Sequence, residues 1–337
     1  SELTAILHDF NLLMGVIREE LAQILQQYGD ARRTDIIESR IDFCREDLIP
    51  EEQVVLTVSQ TGYAKTQPLS DYQAQRRGGR GKSATSMKDD DIIQHLVVAS
   101  NHATVLCFTN VGKVYRLKVF EVPQASRGAK GRPMVNLLPL DANETITAIL
   151  PLTEFLENHY VFMATASGTV KRVELEQFAN IRANGLRAIE LNEEDTLIGV
   201  AITDGKQQIM LFSNEGKAIR FAETDVRAMG RTAKGVRGMR VALAATLDSE
   251  DADVENDDSD ESDDSDSNVV SRIVSLVVVP ETGEVLCASA NGYGKRTPVN
   301  DFPTKKRGGK GVIAIKTSER NGELVGAVSI DESKELM

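Results

Sequence analysis

Two short strings hold the residues best equipped to grip a ligand: Gln75-Arg76-Arg77-Gly78-Gly79-Arg80-Gly81-Lys82 and Lys305-Lys306-Arg307-Gly308-Gly309-Lys310-Gly311. An arginine guanidinium presents a planar fork of donors that matches phosphate oxygens two at a time. Glycines let the main chain approach a phosphate and expose its N–H donors. Neither device reads base edges, so the binding these strings favour is to a nucleic-acid backbone, with little regard to sequence. Weaker versions stand at Ser126-Arg127-Gly128-Ala129-Lys130-Gly131-Arg132, Arg182-Ala183-Asn184-Gly185 and Gly230-Arg231-Thr232-Ala233-Lys234-Gly235-Val236-Arg237. A single basic glycine-rich loop is usually only a solvated loop. Five at equivalent places form a track that a duplex can follow.

The elements that must position this track repeat along the chain. Short apolar strands at 54–58, 104–108, 160–164, 208–212 and 284–288 each run into a turn that carries Gly62, Gly112, Gly168, Gly216 or Gly292. A glycine there admits the positive φ of a tight hairpin. Basic residues follow every turn: Lys65; Lys113 and Arg116; Lys171 and Arg172; Lys217 and Arg220; Lys295 and Arg296. All of them are expected to join the phosphate track. A second glycine follows each turn glycine by 19, 19, 17, 19 and 19 residues, and the basic loop lies just before it. A third strand is expected after it, as at 133–138 or 311–316, and then a fourth, as at 145–150, 197–202 or 324–330. Four strands per unit at this period describe propeller blades, which bury their faces only by stacking on one another. Equivalent loops of stacked blades then fall along one curved rim. Smooth bending of a duplex costs about 1–6 kcal/mol per 20–30 base pairs. Phosphate contacts that release counterions can offset that cost. The chain ends at Met337 as another apolar stretch begins, so a truncated sixth unit is expected.

The net charge of −12 hides this basic character. Residues 248–266 hold 12 acidic residues and no basic ones, and residues 1–49 hold 10 acidic against 5 basic. With those segments and Glu51 and Glu52 set aside, 34 basic residues face 27 acidic ones. An acidic insertion over 248–268 is expected to be a solvated, disordered segment; the alternative is that it competes with DNA for the rim. Residues 3–28 repeat apolar side chains at spacings of three and four, from Leu3 and Leu7 to Ile24 and Tyr28, and predict one amphipathic helix with Ser1 as its cap and Gly29 as its stop. It is expected to pack on a domain outside this chain, with helical residues to 36, a linker over 37–50 and the β-rich domain over 51–337. Three scattered cysteines show neither metal-ligand nor disulfide spacing and fit a reducing cytoplasm. No apolar run reaches the roughly 20 residues a membrane helix needs. Without tryptophan there is little stacking platform for single strands. The four histidines are scattered and form no carboxylate–histidine motif, which weighs against a propeller enzyme.

Residues 75–81 match at every position the box Q-[RK]-R-G-G-[RK]-G found in the C-terminal domain of the DNA gyrase A protein. The repeats over 51–337 resemble that domain, and the segment before them resembles the end of the same protein's breakage–reunion region. The resemblance implies a mainly β, six-bladed β-pinwheel with strands exchanged between neighbouring blades. It implies a basic rim that wraps duplex DNA with a positive crossing for negative supercoiling. It further implies an A2B2 assembly that includes the rest of the gyrase A protein, the gyrase B protein, and the use of ATP and Mg. The active tyrosine and ATPase site lie outside the region present, so no catalytic residue, metal or cofactor is expected in this chain, and no membrane partner. The C-terminal domain of the topoisomerase IV A protein is a similar alternative in which the box is typically degraded. A protein-interaction propeller with incidental basic loops is another.

Overall fold

Apolar residues fill both faces of the first strand of each repeat, so the strands need covering on both sides, and the chain meets that need by stacking sheets. The computed structural model describes residues 2–30, 45–72, 91–241, 271–280 and 282–330. Contacts divide the chain into Ser1–Pro50 and Glu51–Met337. The first part holds α1 (Glu2–His8) and α2 (Phe10–Tyr28) rather than one continuous helix. Asp9 makes the break. Its carboxylate accepts from the N–H groups of Asn11 (2.9 Å) and Leu12 (3.4 Å), which caps α2. The apolar period runs through Asp9 undisturbed, so spacing alone conceals the cap. Gly29 ends α2 through its N–H on the Leu25 carbonyl.

The second part contains five units. The first gives β1 (Gln53–Ser59), β2 (Tyr63–Pro68) and β3 (Ile93–Ser100). The second gives β4 (Thr104–Thr109), β5 (Lys113–Lys118), β6 (Arg132–Pro133) and β7 (Ile146–Leu152). The third gives β8 (Tyr160–Thr165), β9 (Thr169–Glu174), β10 (Leu186–Arg187) and β11 (Leu197–Thr203). The fourth gives β12 (Gln208–Ser213), β13 (Lys217–Ala222), β14 (Val236–Arg237) and β15 (Ile273–Val279). The fifth gives β16 (Glu284–Ser289), β17 (Gly294–Pro298), β18 (Val312–Ile313) and β19 (Leu324–Ile330).

The third strand is shorter than expected and does not belong to its own blade. The sheets run β3-β1-β2-β6, β10-β5-β4-β7, β11-β8-β9-β14 and β15-β12-β13-β18. Each two-residue strand therefore completes the preceding unit's sheet, as where Ala64 faces Arg132 and Ala218 faces Val312. The fifth sheet, β17-β16-β19, has three strands among the described residues. Four apolar clusters form between successive blades, and the blades stack in a propeller-like arrangement. Aromatic pairs mark the boundaries: Phe108 with Phe178 at 5.9 Å, Phe162 with Phe221 at 6.4 Å, and Phe212 with Phe302 at 6.4 Å. Burying each such ring contributes about 2–3 kcal/mol. Because both faces are covered, β4, β8 and β12 are buried at every residue but the first.

Candidate nucleic-acid interface

The basic loops of the second, fourth and fifth units are each laid on the blade before them. Thr66 N–H donates to the Pro123 carbonyl, and Ala125 N–H returns to Thr66 O, both at 3.0 Å. The same lacing recurs where Met229 N–H meets Arg172 O (2.8 Å) and Lys305 N–H meets Arg220 O (2.8 Å). Thr66, Arg172 and Arg220 each stand four residues after a turn glycine. Equivalent docking sites put the loops at the same level of successive blades, along one edge of the stack.

The second glycines serve this docking. Gly131, Gly235 and Gly311 have φ of 87°, 103° and 81°, and a Cβ there would lie 2.2, 2.6 and 2.5 Å from the carbonyl oxygens of Ala64, Val170 and Ala218. They are glycine because the preceding blade's main chain occupies the space, a different requirement from the close phosphate approach expected of them.

Several basic residues behind the turn glycines are also structural. Lys65 and Lys171 are buried, contrary to the expectation that they join the rim. The Lys65 ammonium donates to the carbonyls of Ser126 (3.2 Å), Arg127 (3.0 Å) and Ala129 (3.0 Å). That of Lys171 donates to Ala188 O (2.9 Å) and to Arg231 O. Both stand three residues after a turn glycine, on the side of the hairpin that meets the incoming loop. Burial lowers the pKa of Lys65. Burial first, and then the Arg231 charge, lower that of Lys171 to about 8, with Glu190 acting in the opposite sense.

Other cations of this group are partly engaged. Lys113 pairs with Asp141 at 2.6 Å, and that hydrogen bond is the main cause of its raised pKa. Lys217 pairs with Glu215 at 3.1 Å. Arg116 donates to Ala179 O (3.3 Å), and Arg220 to Val299 O (2.9 Å) and Phe302 O (3.3 Å). Arg172 lies over the Tyr160 ring at 4.4 Å and near Glu223 at 3.8 Å. Arg296 pairs with Glu284, and Lys295 donates to Ala314 O at 3.2 Å.

A different set faces outward. Arg132, Lys234, Arg237, Lys305, Lys306 and Lys310 are exposed, and their side chains make no hydrogen bond or ion pair among the described residues. Lys130 is exposed and lies 5.7 Å from the Tyr63 ring centroid. Arg231 is half-buried. Arg127 and Arg307 bond backward to the preceding unit. Exposed Arg227, Arg187 and Arg240 were not singled out by the motif, although each lies within a few residues of a loop it did mark. Gln75, Arg76, Arg77, Gly78, Gly79, Arg80, Gly81 and Lys82 lie outside the described residues, as does the acidic segment 248–268. The described loops thus combine fixed main chain with unpartnered cations, which suits an extended polyanion.

The family model described as DNA gyrase C-terminal domain, beta-propeller, matches residues 53–100, 103–153, 159–204, 207–252 and 283–331, one segment per unit. The chain belongs to this family. Relatives include the DNA gyrase A protein of Haemophilus influenzae, 51% identical over all of this chain and 38% of that protein. The DNA gyrase A protein of Escherichia coli is 50% identical over 92% of the chain and 33% of its own length. The chain therefore spans about a third to two-fifths of these relatives. Among solved structures, a DNA gyrase A C-terminal domain has a TM-score of 0.64 at 26% identity and covers 83% of this chain and 84% of its own. The C-terminal domain of a DNA topoisomerase IV has a TM-score of 0.63 at 26% identity, over 85% of this chain and 80% of its own. The gyrase A C-terminal domain thus shares its fold with this chain.

Proposed function

We propose that the propeller binds duplex DNA along its basic loops with little sequence preference, bends it and wraps it with a positive crossing. The observation that carries this reading is the set of exposed cations on the docked loops, Arg132, Lys234, Arg237, Lys305, Lys306 and Lys310, which have no partner among the described residues. Cations held on a scaffold at repeated positions neutralise phosphates with little ordering cost. Each contact releases counterions, and several together supply the few kcal/mol that bending requires. In this reading the chain contributes wrapping to negative supercoiling by a gyrase A2B2 assembly, together with the rest of the gyrase A protein and the gyrase B protein. The ATP- and Mg-dependent chemistry belongs to those other parts.

A topoisomerase IV role is the second reading, supported by a TM-score close to that of the gyrase domain. The complete box at 75–81 and the 50–51% identity to gyrase A proteins weigh for gyrase. Energy transfer between dyes at the two ends of a duplex tests the bending. Binding should bring the ends together on unrelated sequences alike. Binding that leaves the end-to-end distance unchanged would refute it.

A further inference from the structure

One box position makes the same backward side-chain contact in two units. It is the arginine four residues before the second glycine: Arg127 before Gly131 and Arg307 before Gly311. Arg127 Nη2 donates to the carbonyl of Asp71. Arg307 Nε donates to the carbonyl of Asp225 at 3.0 Å, and its Nη1 to the carbonyl of Arg237 at 3.0 Å. Asp71 and Asp225 are equivalent residues. Each stands nine residues after its turn glycine and closes the 3-10 turn that follows the second strand, Leu69–Asp71 in one unit and Glu223–Asp225 in the other. In both cases the arginine reaches back to the unit before its own.

The main chain around Arg307 is tied to the same neighbour. Gly308 N–H meets Gly238 O at 2.6 Å, and Arg240 N–H meets Gly309 O at 3.0 Å. The third unit supplies a natural contrast. Its loop is two residues shorter, and the equivalent position is Ile181, which is buried in the cluster between blades. An apolar side chain there secures the loop by packing where the second and fifth units use a guanidinium; in the fourth unit the equivalent Arg231 is half-buried and its side chain makes no such bond among the described residues.

We propose that Arg127 and Arg307 are positioning residues. They lock each loop to the preceding unit and leave phosphate contact to the lysine three residues later, Lys130 and Lys310, both of which are exposed. The binding half of this proposal rests on the DNA-wrapping reading. A planar fork can serve two carbonyls from separate segments at once, which the single ammonium of lysine does poorly. The distinction is therefore between shape and charge, and lysine in place of arginine separates them.

The test compares Arg307→Lys, Arg307→Gln and Lys310→Gln in the full chain. Two quantities are read: duplex affinity across a salt series, and amide hydrogen exchange at Lys305 and Gly308. Arg307→Lys keeps the charge, yet it should lose protection at Gly308 and bind about tenfold more weakly, as Arg307→Gln does. Lys310→Gln should keep the protection and reduce the salt slope by about 0.9. Exchange in β8 and β12 should stay unchanged in every variant, which separates a loosened loop from an unfolded domain. Arg127→Lys, followed at Ala125, repeats the test in a second unit. Binding by Arg307→Lys equal to that of the parent chain would overturn the proposal, and so would protection lost at no cost in affinity. If Lys310→Gln leaves the slope unaltered, the DNA reading fails and the binding half of the proposal fails with it. The exchange data then still judge the latch.

Discussion

Replacing Lys305, Lys306 and Lys310 together by glutamine isolates the charge carried by one docked loop. All three side chains are exposed and unpartnered among the described residues, so the fold should be unaffected, with stability changed by less than about 0.5 kcal/mol. Each lysine that meets a phosphate contributes about 0.9 to the slope of log affinity against log salt, so three contribute about 2.7. Between about 50 and 200 mM salt, the advantage of the parent chain over the variant should then shrink roughly 40-fold. Fluorescence anisotropy of a labelled duplex, titrated at four salt concentrations, measures the slopes. Lys65→Met is the control. The Lys65 ammonium is buried against three carbonyls, so its loss should loosen the loop over 126–129 without removing a phosphate contact of its own. Equal slopes for the triple variant and the parent chain would refute the assignment of these lysines to the phosphate track. A slope reduced by about 0.9 in folded Lys65→Met would refute the division between buried tethers and exposed contacts.

Other expectations follow from the same geometry. Gly216 has φ +78° and a Cβ there would lie 2.1 Å from Ile315 O, whereas Gly292 has φ +81° with nothing within 4 Å. Gly292→Ala should cost only the left-handed strain, about 1–2 kcal/mol, and Gly216→Ala clearly more, as read by chemical denaturation. The pKa of Lys171 is lowered from 10.5 to about 8, so between those values the unfolded chain binds more protons than the folded one. Stability contributed by this site should therefore rise with pH across that window. Lys171→Met should flatten the rise, and an unchanged profile would contradict the burial argument. Deleting residues 248–266, with their 12 acidic side chains, should raise duplex affinity at low salt and have little effect at high salt.

Much of this architecture was legible in the sequence, because hairpin glycines and apolar runs are local signals. Gly62, Gly112, Gly168, Gly216 and Gly292 all occupy positive φ, as a tight turn requires. The exchanged third strand was not legible from composition or spacing. Arg132–Pro133 and Val312–Ile313 are two residues long, and nothing in so short a segment says which sheet it completes; only the family resemblance anticipated exchange. The facing of the basic residues was hidden for a related reason. Alternation identifies an outer face when one side of a sheet meets water, but the hairpins that carry Lys65 and Lys171 are covered on both sides by neighbouring blades or loops. Lys65 and Lys171 therefore look like surface cations in sequence and are buried tethers in the fold. The second glycines were marked for close approach to a phosphate, whereas Gly131, Gly235 and Gly311 meet the main chain of a neighbouring strand.

The wrapping itself is tested most directly by topology. A nicked circular duplex is sealed in the presence of increasing amounts of the chain, and the linking number is read after the protein is removed. If the duplex follows the rim, the linking difference should shift progressively toward positive values, and the Lys305, Lys306 and Lys310 substitutions should weaken the shift. Saturated binding with no shift in linking number would contradict wrapping.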